Sequence, residues 1–265
     1  MELHNRTVLV TGASTGIGAA TARALSARGA TVLLVARTEA KLKELADELP
    51  GPAAVYPCDV GDAAAVAAMA EQVRAEHGIP DVIINNAGAG RWLFVEETDP
   101  AEFAQMVAVP FMAAFFVTRA FVEGMIARGS GRVVNVNTPI SEVAWPGAMG
   151  YGCARWALRG FDRTLAADLR GTGVGVTNVV PGKVSSDYFD HNPGAEERIP
   201  TIAKLMPTLT PEDTADVICR SIERERRQAL APGILRMLLL TARVAPSSVE
   251  WLAWRTGPRR EAIAR

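Results

Sequence analysis

Six short apolar runs, at residues 7–11, 31–36, 53–57, 81–85, 132–137 and 175–180, recur along this 265-residue chain, each followed by a stretch with the length and pattern of a helix. The runs are continuous rather than alternating: Val8-Leu9-Val10 and Val82-Ile83-Ile84 offer no polar residue to a wetted face. Such a strand is covered on both sides, and strands joined through helices run parallel. The chain therefore predicts an α/β fold, a doubly wound parallel sheet between two layers of helices. Helices are expected at 17–28, 39–48, 63–77, 100–128, 151–170 and 211–227, with Gly29, Gly78, Gly129 and Gly171 just past four of their ends as stop signals. Apolar residues make up 49% of the chain, enough for a full core, and one domain over residues 1–265 is expected. Residues 183–209 break the rhythm with Pro193, Gly194, Pro200 and Pro207 and are read as a lid, and residues 234–265 form an extension.

A formal net charge of −1, without long runs of like charge, gives no bulk attraction for nucleic acid, so small molecules and copies of the chain itself are the expected partners. Cys58, Cys153 and Cys219 are far apart and form no C-x-x-C pair, which argues against a disulfide framework or a zinc site and fits a reducing cytoplasm. The segment Met1-Glu2-Leu3-His4-Asn5 lacks the basic and apolar regions of a secretory signal. The most apolar part of the extension, 234–245, contains Arg236 and Arg243 and stops at Pro246, too short and too charged to span a bilayer. An amphipathic helix packed over the site or a neighbouring subunit is its expected use, with peripheral membrane contact as the alternative.

The first run leads into Thr11-Gly12-Ala13-Ser14-Thr15-Gly16-Ile17-Gly18, a glycine-rich turn between a strand and a helix. In that context the glycines let the backbone approach a pyrophosphate, whose charge rests on the helix N-terminus. Gly12, Ser14, Thr15, Gly16, Ile17 and Gly18 are therefore candidate nucleotide contacts. An acidic residue at the end of the second strand would accept from the ribose diol of NAD and repel a 2′-phosphate. Ala36 stands there, followed by Arg37, whose guanidinium forms a fork suited to phosphate. NADP(H) is expected in preference to NAD(H).

Together with Asn85-Asn86-Ala87-Gly88 and Tyr151-Gly152-Cys153-Ala154-Arg155, this turn resembles the classical short-chain dehydrogenase/reductases, over about residues 6–233. The resemblance implies a Rossmann-type fold, with Asp59 and Val60 near the adenine and Asn86, Ala87 and Gly88 beside the nicotinamide ribose. It also implies Pro181, Gly182, Val184 and Ser186 at the carboxamide. Tyr151 would exchange a proton with the carbinol oxygen while hydride moves. A phenol is a weak base at neutral pH, so a neighbouring positive charge matters.

Three of the family's four catalytic positions are altered. Arg155 replaces the lysine four residues after the tyrosine, on the same helix face. It keeps the charge but lacks a compact ammonium with rotatable donors. Thr138 aligns with the catalytic serine and keeps a hydroxyl, with an added methyl and a stiffer rotamer. Asn137 and Ser141 are neighbouring polar candidates. Pro110, in Val109-Pro110-Phe111, aligns with an asparagine; it loses the amide but imposes a kink where the family has a helix irregularity.

Trp92, Phe94, Trp145, Met149, Tyr188 and Phe189 are expected to wall the substrate space. The reading is an NADP(H)-dependent oxidoreductase that reduces a carbonyl or imine of an apolar small molecule, or oxidises the corresponding alcohol. The alternative, motivated by the three alterations, is a cofactor-binding homologue with a non-redox or binding role. Phe115, Phe116 and Phe121 with Trp156, Leu158 and Phe161 suggest a symmetric helical interface, hence a homodimer or homotetramer.

Overall fold

The computed structural model describes residues 1–260 apart from 89, 187, 189–191 and 193. Seven strands form one all-parallel sheet: β1 (Thr7–Thr11), β2 (Thr31–Ala36), β3 (Ala53–Pro57), β4 (Val82–Asn85), β5 (Gly131–Val136), β6 (Val174–Pro181) and β7 (Gln228–Ala231). Their order across the sheet is β3-β2-β1-β4-β5-β6-β7. The helices are α1 (Gly16–Ser26), α2 (Glu39–Glu48), α3 (Ala63–His77), α4 (Pro100–Val107), α5 (Ala113–Arg128), α6 (Met149–Asp168), α7 (Pro211–Glu223), α8 (Gly233–Val244) and α9 (Pro246–Thr256).

The continuous apolar runs are explained by where alternate residues go. Val8, Val10, Val32, Leu34 and Ile84 pack into a core with α1, α2 and α7. Leu9, Leu33, Val35 and Ile83, one residue out of phase, pack into a second core with α3, α5 and α6. Both faces are dry, and each fully buried aliphatic side chain contributes about 1.5–3 kcal/mol. The sequence of strands reverses direction between β1 and β4, and there the two strand ends are stitched together. Thr11 Oγ1 accepts from the backbone N–H groups of Asn86 and Ala87, at 3.0 Å each, and donates to the Ile84 carbonyl at 3.2 Å.

Four expectations need correction. The helix expected over 100–128 is interrupted: α4 and α5 are joined by a π turn at Ala108–Met112 that contains Pro110. Proline lacks the N–H that would bond four residues back, and a widened turn accommodates its ring. Although Pro100–Arg128 is long and apolar enough to cross a membrane by composition, Val117, Phe121 and Met125 lie fully inside the second core. α7 ends at Glu223 instead of 227, Glu225 has a φ of 51°, and the chain then forms β7 beside β6, a strand not expected from the sequence.

Finally, the expected aromatic interface is divided. Phe121 and Leu158 are core residues, whereas Phe115 and Trp156 are exposed and Phe116 and Phe161 half-buried. Phe115 and Phe161 meet edge to face at 6.2 Å, which links α5 to α6. In the extension, α8 turns Leu235 and Leu239 into a small core with Val180, Val143 and the α9 residues Val249 and Ala253.

Candidate active site

The carboxyl ends of β1 to β6 open into a cavity of about 980 Å³, at the place where the strand order reverses. Gly12, Ser14, Thr15, Gly16 and Ile17 line it after β1, Arg37 after β2, Asp59 and Val60 after β3, and Asn86, Ala87 and Gly88 after β4. Thr138 lines it after β5, Tyr151 and Arg155 from α6, and Pro181, Gly182, Val184 and Ser186 after β6. Two of the expected site residues stand back from it. Gly18 packs beneath the turn, where a Cβ would lie 2.0 Å from the Gly12 carbonyl oxygen. Pro110 is buried in the π turn, and its neighbours Ala108 and Val109 line the cavity instead.

The nucleotide half fits a dinucleotide on this chain's own features. The first turn of α1 has no acidic residue, and the Thr15 side chain does not cap it, so the helix N-terminus keeps N–H donors for an anion. The loop after β6 crosses the turn, with the Ser186 Cβ 3.4 Å from the position a Cβ on Gly16 would take. Asp59 Oδ1 accepts from the Gly61 N–H at 3.0 Å, which shapes the loop after β3. Arg37 is exposed at the rim. Lys41, one turn into α2, also lines the cavity; its spacing from Arg37 was the signal that reading position 37 alone passed over. Burial pushes the Cys58 thiol up to about 11, so this lining residue stays neutral.

In the catalytic half, the Arg155 guanidinium sits over the Tyr151 ring at 5.1 Å, and its Nη1 donates to the Val136 carbonyl at 3.0 Å. A Cβ on Gly88 would lie 2.4 Å from Arg155 Nη2, so the close approach of arginine to the loop after β4 requires glycine there. Among the described residues, Arg155 Nε is buried without a hydrogen-bond partner, a donor that a polar ligand group would satisfy. Asn137 is committed to backbone: its Oδ1 accepts from the Thr138 N–H at 3.0 Å and its Nδ2 donates to the Arg155 carbonyl at 3.4 Å. Ser141 is fully buried and donates to the Thr138 carbonyl at 2.7 Å. Both therefore hold the Thr138 turn, and Thr138 is the hydroxyl that faces the cavity.

The segment after β6 covers the site. Tyr188 donates to the Gly90 carbonyl at 2.8 Å and accepts from the Trp92 indole at 3.1 Å. Its ring lies 6.0 Å from that of Tyr151, and Trp92 stacks on Tyr151 at 5.7 Å. Burial raises the Tyr188 pKa, so this second phenol stays protonated. Ile199, Ala203 and Met206 complete the apolar wall with Trp145. Of the six wall residues expected, Trp92, Trp145 and Tyr188 line the cavity, and Phe189 lies outside the described residues. Phe94 and Met149 line a different apolar groove of about 700 Å³ on the far side of Trp145, because α6 begins at Met149 and turns that side chain outward. The lining of the site cavity ends at Met206, so α8 does not cover it.

A family model described as short chain dehydrogenase matches residues 6–196. The chain belongs to the short-chain dehydrogenase family. Probable oxidoreductase EphD of Mycobacterium tuberculosis is 34% identical over 237 residues, covering 83% of this chain and 40% of that protein. The chain thus spans well under half the length of that relative. D-threitol dehydrogenase of Mycolicibacterium smegmatis is 32% identical over 210 residues, 78% of this chain and 80% of that one. The crystal structure of a metagenomic short-chain oxidoreductase in complex with NADP superposes with a TM-score of 0.73 at 31% identity, covering 87% of this chain and 97% of the other. Arg155 keeps a buried cation beside Tyr151 while one of its donors is turned onto the Val136 carbonyl.

Proposed function

We propose that this short-chain dehydrogenase interconverts a carbonyl or imine of an apolar small molecule and the corresponding alcohol or amine, with NADP(H) in preference to NAD(H). The observation that carries the reading is convergence: Tyr151, Thr138 and Arg155 share one cavity with the glycine turn, under a wall of Trp92, Trp145, Tyr188 and Met206. Bound nicotinamide supplies or accepts the hydride. In the reducing direction the Tyr151 hydroxyl delivers the proton to the substrate oxygen, so one hydride and one proton complete the alcohol. Thr138 donates a hydrogen bond to the same oxygen and orients the carbonyl. Arg155 holds positive charge against the Tyr151 ring, and its Nε, without a partner among the described residues, offers a donor to the ribose side of the site. Trp92 and Tyr188, hydrogen-bonded to each other, keep water from the reacting carbon. Arg37 and Lys41 put two cations at the end of β2, where a 2′-phosphate would lie.

A homodimer or homotetramer built on the exposed Phe115 and Trp156, in a reducing cytoplasm, is part of the proposal. The engagement of Arg155 with the Val136 carbonyl favours one second reading, a subunit that binds NADP(H) without redox turnover. Consumption of NADPH against a panel of bulky ketones and imines, run beside NADPH binding, decides between them. Turnover of at least one apolar carbonyl, faster with NADPH than with NADH, supports the oxidoreductase. Tight binding with no turnover across the panel supports the second reading. Arg155→Lys adds a direct check: a faster rate means that arginine merely stands in for lysine, and a slower one gives it a role of its own.

A further inference from the structure

The exposed apolar side chains of this protein are unevenly distributed. Among the described residues, eleven large hydrophobics are exposed, and six of them, Ile234, Met237, Leu240, Val244, Trp251 and Trp254, lie on α8 and α9. On α8 the spacing 234, 237, 240, 244 draws one stripe along the helix. Leu235 and Leu239, on the opposite side, are already buried against the body of the protein. α8 is thus apolar on two faces. A helix of that kind is covered on both, and its own chain covers one. The outward residues are not marginal cases: Met237 is 66% exposed, Val244 88% and Trp254 62%.

Charge identifies what covers the other face. Between residues 233 and 260 stand Arg236, Arg243, Arg255, Arg259 and Arg260 against Glu250 alone, a net charge of +4 in a chain whose total is −1. Among the described residues only Arg260 of these forms an ion pair, with Glu96. A second copy docked by a two-fold axis would set these arginines against themselves, without an acidic patch to meet them. A surface that is apolar below and anionic at its edge matches both properties at once. The two exposed tryptophans add a side chain that prefers the boundary between headgroups and acyl chains.

We propose that α8 and α9 dock this protein on the surface of an anionic phospholipid bilayer. The α8 stripe enters the headgroup boundary and the arginines rest on lipid phosphates. At 12 residues α8 is too short to span the bilayer, and with Leu235 and Leu239 held by the core it lies flat. The docked state is peripheral and reversible.

Flotation with vesicles of phosphatidylcholine alone, and of phosphatidylcholine and phosphatidylglycerol in equal parts, tests the proposal. The intact chain is expected to float with the anionic vesicles and to partition far less to the neutral ones. Met237→Glu with Leu240→Glu should lower partition at least tenfold, and Arg236→Gln with Arg243→Gln about fivefold per arginine on anionic vesicles only. Brominated acyl chains should quench tryptophan emission in the wild type, and Trp251→Phe with Trp254→Phe should remove most of that quenching. All substituted residues are exposed, and unchanged circular dichroism with unchanged NADPH affinity certifies the fold. No flotation of the wild type with anionic vesicles overturns the proposal, as does undiminished flotation of Met237→Glu with Leu240→Glu. It is equally overturned if that variant dissociates an oligomer in light scattering while its vesicle partition is unchanged, since the face then belongs to a second copy.

Discussion

Gly18→Ala places a methyl group where the nucleotide turn has no room for it. The Cβ would lie 2.0 Å from the Gly12 carbonyl oxygen and 2.7 Å from its carbon, and 2.8 Å from Asn86 Nδ2. The first two are backbone atoms, and the same Gly12 carbonyl accepts from Asn86 Nδ2 at 3.3 Å, so it cannot swing away as the tip of a side chain would. Recovering an ordinary contact requires the turn to open by roughly 1–1.5 Å, at an overpacking cost of about 1–3 kcal/mol. Against this, alanine in the first turn of α1 gains at most about 1 kcal/mol of helix propensity. The steric term wins, and the expected net loss is about 1–2 kcal/mol. NADPH affinity should fall at least about tenfold, because displaced backbone donors lose both distance and angle toward the pyrophosphate. Gly160→Ala is the matched control. It lies exposed within α6, and a methyl group added there would meet nothing within 4 Å, so the same substitution should stabilise by about 0.5–1 kcal/mol. Urea unfolding of both variants and a fluorescence titration with NADPH supply the readings. A Gly18→Ala protein as stable as wild type, with unaltered NADPH affinity, refutes the reasoning.

Arg37→Ala should weaken NADPH binding by about 1.5–3 kcal/mol and leave NADH nearly unaffected, with Lys41→Ala adding a smaller loss of the same kind; calorimetric titration of both cofactors reads the difference. Arg198 holds the Glu97 carboxyl down to about 2 through hydrogen bonds of 2.6 and 3.0 Å, helped by the Phe94 N–H. A lowered folded-state value means that the pair stabilises above the ordinary carboxylate range and that its contribution disappears as pH falls toward 2. Arg198→Ala should therefore cost up to about 1 kcal/mol at neutral pH, a figure limited by the partial exposure of both partners, and the unfolding curves of variant and wild type should converge in acid. Phe115→Asp with Trp156→Asp should shift the protein toward monomer in light scattering, at the cost of the Phe115–Phe161 contact but without unfolding, since both side chains are largely outside the core.

The sheet was legible from residues 7–180 because the central strands are buried on both faces and their composition says so, and even the half-buried edge strand β3 keeps an apolar run. β7 was not: Gln228-Ala229-Leu230-Ala231 is short and rich in alanine, and it exists as a strand because the β6 edge pairs with it. The glycine turn was legible as cavity lining, since glycines at the end of a strand leave few alternatives, and Gly12, Ser14, Thr15, Gly16 and Ile17 do line the cavity while Gly18 packs beneath the turn. The catalytic half required geometry. A side chain one or three positions from Thr138 faces the cavity or supports it according to the turn, and Asn137 and Ser141 are committed to backbone partners that no spacing reveals. Periodicity also misplaced Phe121 and Leu158, because a helix that is apolar on several faces does not say which one meets the sheet. The buried chain of hydrogen bonds from Thr118 through Asn85 and Asn135 to Asp162 was equally invisible, being formed by residues far apart in sequence.

The central claim is that Tyr151 delivers the proton that accompanies hydride transfer in this cavity. Single-turnover consumption of bound NADPH, followed by the nicotinamide absorbance with an accepted carbonyl in excess, tests it on wild type and Tyr151→Phe. The expected result is a rate about a hundredfold or more lower in the variant, with NADPH affinity unchanged, because one positioned general acid contributes roughly 10²–10⁴. A Tyr151→Phe rate equal to that of wild type would contradict the assignment and the mechanism built on it.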